Sequence, residues 1–262
     1  MGRIVVLSGV LLVAACSTVG ERAARMEGAT CAADVKACLS RIMDVHGGLS
    51  RFRAMRYARY EIDDVWSQPM GLAFNPWPGH ATRMVYWSDR TGTDGSVEIP
   101  ETGHVVGMDA FGTYSVGNKP GVSVSAGKYA QGTSWVMALP FRLADDDVEV
   151  QSVTPERWRH RNVVAVHFRA KVGWTPRDEW VLYVEPQSLQ MAGARFWASE
   201  HQLWLDVQFT GFVVVGGLLV PSGAQVDVVT PQLPIPLHTL TLRDVKLWSR
   251  IPDEFPKPRP TP

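Results

Sequence analysis

Residues 164–169, Val-Ala-Val-His-Phe-Arg, and residues 180–185, Trp-Val-Leu-Tyr-Val-Glu, decide the fold class of this chain. In each stretch every second side chain is large and apolar. A period of two places one set of side chains on one face of a β-strand and the other set on the opposite face. Both stretches therefore predict strands with one apolar face.

The same period recurs along most of the chain. Strands are expected near residues 57–66, 81–88, 95–100, 104–108, 111–116, 148–153, 162–171, 178–185, 190–197, 203–210, 212–220, 224–230 and 239–249. They are separated by turn signals such as Asn75-Pro76, Asp94-Gly95, Gly117-Asn118 and Pro221-Ser222-Gly223. In the last strand the apolar parity changes between Arg243 and Asp244, which is typical of a β-bulge.

Helical spacing is confined to a few segments. Thr30 is placed to cap a helix from about Ala32 to His46, and Gly47-Gly48 would end it. Leu49, Phe52 and Met55 indicate one further helical turn, and residues 125–138 indicate a helix stopped by Pro140. These few helices cannot cover about a dozen strands as helices do in an ordinary layered domain. The sheet must therefore curl on itself.

The amino terminus has the three parts of a secretory signal: a basic start, an apolar stretch from Ile4 to Val13, and small residues before Cys16. Leu12 to Cys16 resembles a bacterial lipobox, which implies cleavage before Cys16 and acylation of its thiol and new amino group. An ordinary signal cleaved after Ala15 is the alternative. Ser17 favours the outer membrane, facing the periplasm. We expect residues 1–15 to be the signal peptide, 16–29 a tether, 30–250 the folded domain and 251–262 a proline-rich tail.

Composition limits the functions of the remaining 247 residues (262 less 15). Over the full chain basic and acidic residues balance at 26 each, and the basic ones do not cluster, which excludes a nucleic-acid partner. With Cys16 lipidated, Cys31 and Cys38 remain in a compartment where disulfides persist. On one continuous helix they would lie roughly 10 Å apart, too far for a bond. A bond requires Cys31 to precede the helix, and both states stay open.

Three motifs carry a family resemblance: residues 46–57 (His-Gly-Gly-Leu-Ser-Arg-Phe-Arg-Ala-Met-Arg-Tyr), residues 86–92 (Tyr-Trp-Ser-Asp-Arg-Thr-Gly) and residues 139–145 (Leu-Pro-Phe-Arg-Leu-Ala-Asp). They resemble the lipoprotein-sorting superfamily typified by LolA and LolB, and especially its uncharacterised relatives. The resemblance implies a mainly β fold: a curled antiparallel sheet forming a half-open β-barrel, with a few short helices as a lid over a cavity for acyl chains.

Strand parity then predicts which side chains line such a cavity. The ligand-binding residues expected on the concave face are Tyr60, Ile62, Trp66, Phe168, Trp180, Leu182, Leu205 and Phe209. Those expected to point outward are Arg59, Glu61, Arg169 and Asp206. The predicted function is a lipid-anchored periplasmic protein that binds acyl chains or another apolar ligand, possessing no cofactor. A structural or assembly scaffold of the cell envelope is the alternative, and its protein partners are unknown.

Catalytic and metal motifs are incomplete. Residues 89–93, Asp-Arg-Thr-Gly-Thr, resemble the phosphorylated-aspartate loop of P-type pumps but lack its lysine, which favours a hairpin turn. Residues 121–125 depart from the nucleophile elbow at their last position, and Asp145-Asp146-Asp147 lacks further spaced oxygen ligands for Ca²⁺. No catalytic residue and no metal is expected. The seven histidines form no metal-ligand pair: His46, His80, His104, His160, His167, His201 and His238.

The apolar, proline-rich residues 231–237 leave two interpretations open. They form either a lip that touches membrane or cargo, or an edge connection packed on the barrel. The tail over residues 256–262 should adopt an extended polyproline conformation.

Overall fold

The residues that the structure describes fold around one antiparallel sheet of 12 strands. The computed structural model describes residues 21–90, 95–109, 112–116, 125–171, 177–198 and 202–256. The strands are β1 (Tyr57–Trp66), β2 (Ala81–Asp89), β3 (Gly95–Ile99), β4 (His104–Asp109), β5 (Gly112–Val116), β6 (Glu149–Trp158), β7 (Arg161–Lys171), β8 (Arg177–Val184), β9 (Met191–Ala198), β10 (Leu203–Val215), β11 (Leu218–Val228) and β12 (Ile235–Trp248). The helices are α1 (21–33), α2 (Val35–Val45), α3 (Leu49–Ala54), α4 (Gln68–Phe74) and α5 (Ser125–Met137), with a 3-10 turn at Phe141–Ala144.

The strand order is β5-β4-β3-β2-β1-β12-β11-β10-β9-β8-β7-β6, so the sheet is open, with β5 and β6 at its edges. Strands β1 to β5 form one meander. The chain then passes through α5 and the 3-10 turn to the opposite edge, and β6 to β12 form a second meander. The two meanders join where β1 pairs with β12, from Tyr57 opposite Trp248 to Trp66 opposite His238.

Contacts of α5 show that the sheet is curled. Eight strand steps separate β3 from β7 in the sheet order, which would be about 38 Å in a flat sheet. Yet α5, only 13 residues long, packs against β3 and β4 and also reaches β7, where Trp135 lies 5.8 Å from Phe168 between ring centroids. The predicted mainly β, half-open architecture with a helical lid is confirmed.

Two predicted local features are confirmed as well. Residues 57–66 form one strand with the expected alternation, and the pairing of β1 with β12 is irregular where the parity changes. Glu61 lies opposite Asp244 and Ile62 opposite Leu242, which leaves Arg243 as the extra residue of the bulge. The bulge preserves apolar burial on both sides of the irregularity.

The His46-Gly47-Gly48 segment fixes the helices to the sheet. Gly47 and Gly48 have φ of 106° and 88°, and a Cβ on Gly47 would lie 2.3 Å from the carbonyl oxygen of Gly217. Only glycine satisfies both conditions. The fully buried imidazole of His46 bonds the carbonyl of Ile42 at 2.8 Å through Nδ1 and accepts the Met191 N–H at 3.3 Å through Nε2.

The predicted start of the first helix is wrong. Residues 21–33 are already helical, so the described part of the expected tether is folded, and Thr30 lies inside α1. The cap is Asp34, whose carboxylate accepts the Ala37 N–H at 2.9 Å at the start of α2. The break at Asp34 brings the Cα atoms of Cys31 and Cys38 to 4.9 Å, and the two cysteines are bonded.

The prediction is also wrong between residues 203 and 230, where three expected strands are the two longer strands β10 and β11. Their turn is Gly216-Gly217, with φ of 57° and 77°, rather than Pro221-Ser222-Gly223. Pro221 is accommodated inside β11 because the register shifts beside it, opposite Phe212. Helix α4 was not predicted. None of the helices in the described ranges is long and apolar enough to cross a bilayer.

Candidate functional site

The eight predicted ligand-binding residues come together on the concave face of the sheet. Seven of them are at most 7% exposed, and Leu205 is half-buried and packed against the others. They belong to one continuous apolar core that also includes side chains from α2, α3 and α5. Strand parity thus placed these residues correctly, and their role in binding a ligand stays a prediction.

Three of the four residues expected on the opposite face are half-buried or exposed: Arg59, Glu61 and Arg169. Asp206 also lies on that face, as expected, but it is only 1% exposed. The Trp158 side chain folds across the outer face, over Gly193, and its Nε1 donates to Asp206 at 3.2 Å. Arg195 donates to the same carboxylate at 2.7 and 3.1 Å. The outer face therefore carries a small buried layer of its own.

An aromatic stack joins the α5 lid to the concave face. Trp135 of α5 lies 4.4 Å from Trp180 between ring centroids, and Trp180 stacks on Phe196 at 4.5 Å. The indole Nε1 of Trp180 is buried and has no hydrogen-bond partner among the described residues. Sequence reasoning missed Trp135 and Phe196, although Phe196 directly faces Trp180 across the β8–β9 pair.

A buried carboxylate, Asp64, holds the other end of the lid. Its side chain is 0% exposed and accepts four hydrogen bonds. Oδ1 bonds Nδ1 of His238 at 2.7 Å. Oδ2 accepts from Nε1 of Trp66 at 2.8 Å, Nε1 of Trp77 at 2.9 Å and the Tyr129 hydroxyl at 2.9 Å. Burial raises the pKa of Tyr129, and the Asp64 charge raises it further.

These five side chains, the Asp64 cage, come from different elements. Asp64 and Trp66 lie on β1, His238 on β12, Tyr129 on α5, and Trp77 in the segment after α4. The ring of His238 stacks on Trp66 with centroids 4.1 Å apart. The cage therefore connects α5 and the α4 segment to the seam between the two meanders. Asp64 shares the parity of Ile62 and Trp66, the signal that would have found it.

The weaker sequence motifs have structural roles where they are described. Asp89 ends β2 and β3 begins at Gly95, and the intervening residues 91–94 lie outside the described ranges, as do residues 121–124. Asp145 bonds Arg142 at 3.1 Å, whereas Asp146 and Asp147 are exposed. Within the described ranges no three His, Cys, Asp or Glu side chains group as a metal site. Cys16 also lies outside those ranges.

The 231–237 segment divides into two parts. Residues 231–234 are exposed, with Leu233 at 73%, whereas residues 235–237 belong to β12. The carbonyl oxygen of Leu237 accepts a hydrogen bond from the Ser67 N–H at 3.0 Å. The same oxygen is so close to Gly71 that a Cβ on that residue would lie only 2.2 Å from it. The second half is thus packed under α4, and the first half forms an apolar rim beside it.

No family model and no curated protein matches the chain. Among solved structures, the chain is similar to a LolA superfamily protein from Nitrosomonas europaea, with 14% identity, a TM-score of 0.46 and coverage of 80% of this chain and 96% of the other. It is similar to a DUF1329 family protein from Desulfovibrio piger, with 11% identity, a TM-score of 0.47 and coverage of 81% and 92%.

A third similar structure is described as an outer membrane lipoprotein-sorting protein domain from Vibrio parahaemolyticus. Its identity is 8%, its TM-score 0.44, and the match covers 78% of this chain and 93% of the other. At these identities the likeness is one of fold.

Proposed function

We propose that this protein is a lipid-anchored binding protein of the bacterial envelope, holding acyl chains or another apolar ligand between its curled sheet and its helical lid. The observation that supports this most is the concave face, where the eight residues selected by parity form one apolar surface. Helices cover that surface, and no second sheet does so within the part of the chain that the structure describes. Such a cover can move as a unit without breaking the strand pairing beneath it.

The ligand would enter by exchange with the aromatic stack. Trp135 of α5 contributes the aromatic contact over Trp180, and an acyl chain in its place would bury a similar apolar area. Burial contributes about 0.8 kcal/mol per methylene, so ten methylenes give roughly 8 kcal/mol before ordering costs. Because the ligand replaces a contact that the closed protein already makes, the net gain is smaller, and binding is reversible.

We place the anchor at Cys16 and the protein at the outer membrane, facing the periplasm. The Cys31–Cys38 disulfide supports an oxidising compartment outside the cytosol. The proposal contains no chemical step, and the Asp64 cage has a structural role in it. Transfer of lipids or lipoproteins between membranes is the trafficking activity in which such a binding protein would act.

Leu182→Arg tests the proposal. Leu182 is fully buried on the concave face, so the variant should lose binding of a fluorescent fatty acid that receives energy from Trp180. Val214→Arg is the matched control, because Val214 is 68% exposed at the β10–β11 turn and the same change there should leave binding unaltered. Circular dichroism identifies a variant that is unfolded, and a Leu182→Asn variant then replaces it.

Mass spectrometry of lipid that co-purifies with the wild type completes the test. We expect amphiphiles with acyl chains in the wild type and not in the folded Leu182 variant. Equal fatty-acid affinity in both, or no binding by the wild type, would contradict the proposal and favour the scaffold function. That function has its own support, since the closed protein covers the concave face with its own side chains.

A further inference from the structure

Two buried arginines interact electrostatically where the lid joins the first meander. Arg90 follows β2 and is 4% exposed, and Arg142 lies in the 3-10 turn and is 9% exposed. The guanidinium carbon of Arg90 lies 3.9 Å from the ring centroid of Phe52, and Phe52 stacks on Phe141 with centroids 4.4 Å apart. Phe141 directly precedes Arg142, so this aromatic pair links the surroundings of the two cations.

The positive charge of this pair exceeds its compensation. Arg142 donates to Asp145 at 3.1 Å, whereas the bond described for the Arg90 guanidinium is to the neutral Met55 carbonyl at 3.2 Å. Burial lowers the pKa of Arg90, the Tyr60 hydroxyl opposes this, and the Arg142 charge lowers the pKa further. The described residues thus supply two cations and one carboxylate in a region where an unpaired charge is strongly unfavourable.

Some buried polar atoms of this region also lack hydrogen-bond partners among the described residues. The Nε of Arg90 and the Nε of Arg142 are buried without a partner among the described residues. The buried Tyr86 hydroxyl lies beside Ser88 and Ser134, which bond each other at 2.7 Å, and makes no well-formed hydrogen bond to any described residue. Tyr60 lies close by: its ring centroid is 6.0 Å from that of Tyr86, burial raises its pKa, and the charges of both arginines lower it. A single anionic group with several lone pairs would satisfy these donors.

We propose that Arg90 and Arg142, with the Tyr86 hydroxyl, bind the anionic head group of an amphiphile, a carboxylate or a phosphate, whose alkyl chain lies along the concave face. Tyr60 and Tyr86 belong to the same core as Ile62 and Met84, so the chain would continue directly onto apolar side chains. The position of the alkyl chain rests on the proposed function. The anion site does not rest on that function, because it is argued from the two arginines and the Tyr86 hydroxyl.

Titration calorimetry on the purified full chain, stripped of lipid, tests the site with decanoate, decyl phosphate and decan-1-ol, which share one alkyl chain. We expect one anion to bind roughly 10- to 100-fold more tightly than the alcohol, because charge-assisted bonds are added. The tighter of the two anions identifies the head group. Arg90→Met should reduce that affinity to the level of the alcohol and leave binding of the alcohol unchanged.

Stability separates this role from a structural one. Removing an uncompensated charge should leave the melting temperature of ligand-free Arg90→Met unchanged or raise it by about 2–4 °C. Arg142→Met provides the second variant if Arg90→Met does not fold. The matched control is Arg169→Met, in which an arginine with 46% side-chain exposure is replaced and no binding should change.

Each outcome decides the proposal. Equal affinity for anion and alcohol overturns the anion site and leaves the proposed function standing, as does an equal loss of both in Arg90→Met. If none of the three amphiphiles binds, the proposed function fails, and inorganic phosphate decides the anion site separately. Stabilisation by phosphate of the wild type but not of Arg90→Met would support the site, and no difference would overturn it.

Discussion

Asp64 and Arg90 are both charged and nearly inaccessible, yet their surroundings differ. Asp64 accepts four hydrogen bonds from two indoles, one phenol and one imidazole. Arg90 donates to a backbone carbonyl, its Nε has no partner among the residues that the structure describes, and it interacts electrostatically with a second arginine. The first group is completed by the fold, whereas the second is incomplete without something further. Burial alone therefore does not distinguish a structural charge from a binding group, and the number of satisfied partners does.

Replacing Asp64 should give the largest effect. Asp64→Ala leaves the donors of the cage without an acceptor, and we expect the free energy of unfolding to fall by about 3–5 kcal/mol. Chemical denaturation measures this. Asp63→Ala is the adjacent control, because the Asp63 side chain is 23% exposed and pairs with Arg83 and Arg243 at the surface, so its loss should be below about 1 kcal/mol. Equal losses of unfolding free energy in the two variants would show that the hydrogen bonds of the Asp64 cage stabilise the protein no more than the surface ion pairs of Asp63 do.

His46 extends the comparison to a buried side chain whose two hydrogen bonds are both satisfied only when the imidazole is neutral. Burial lowers its pKa, and its bond to the Ile42 carbonyl partly opposes this. The unfolded state then binds a proton at about pH 6.5, before the folded state does. The stability contributed by His46 is therefore present above pH 6.5 and is lost as the pH falls below it, by at most about 1.4 kcal/mol per pH unit.

Denaturation of the wild type and of His46→Gln at about pH 7.5 and 5.5 checks this pH dependence. Other titrating groups contribute equally to both proteins and cancel in the difference. The wild type should lose more stability than the variant on acidification. A parallel loss in both would mean that the His46 proton is not linked to folding.

Two tyrosines give the most closely matched comparison and the smallest expected effect. The Tyr129 hydroxyl bonds Asp64, whereas the buried Tyr86 hydroxyl lies beside Ser88 and Ser134 and makes no well-formed hydrogen bond to any described residue. We expect Tyr129→Phe to lower the free energy of unfolding by about 1 kcal/mol and Tyr86→Phe to change it by less than about 0.5 kcal/mol. The reverse order, again measured by denaturation, would contradict the distinction between satisfied and unsatisfied groups.

The sequence predicts local features of this protein better than it predicts its polar sites. Alternation identified β1 and the concave residues because the concave side of the sheet is the more deeply buried of its two faces. The same alternation failed near Pro221 and Gly223, where turn residues are tolerated inside a strand at a register shift. Asp34 rather than Thr30 is the cap, because the chain is already helical before Thr30 and the helix is interrupted at Asp34.

The charged groups were missed for a different reason. Asp64 has the parity of a core residue, but a carboxylate is acceptable there only because α5 and the segment after α4 provide donors from distant parts of the chain. Arg90 and Arg142 are 52 positions apart and approach each other through the crossing between the two meanders. Such partners are set by topology, and no spacing within a strand or helix encodes them.

The pairing of β12 with β1 also bears on how the chain reaches its final structure. The last strand lies in the middle of the sheet order, between β1 and β11. As the chain emerges from its amino terminus, β1 can pair with β2, but its other edge stays open until residue 248 has arrived. Contacts between such distant segments form slowly, and an open central edge can recruit other chains. Truncation before β12 would therefore divide the sheet at its centre and produce aggregation rather than a slightly shorter protein.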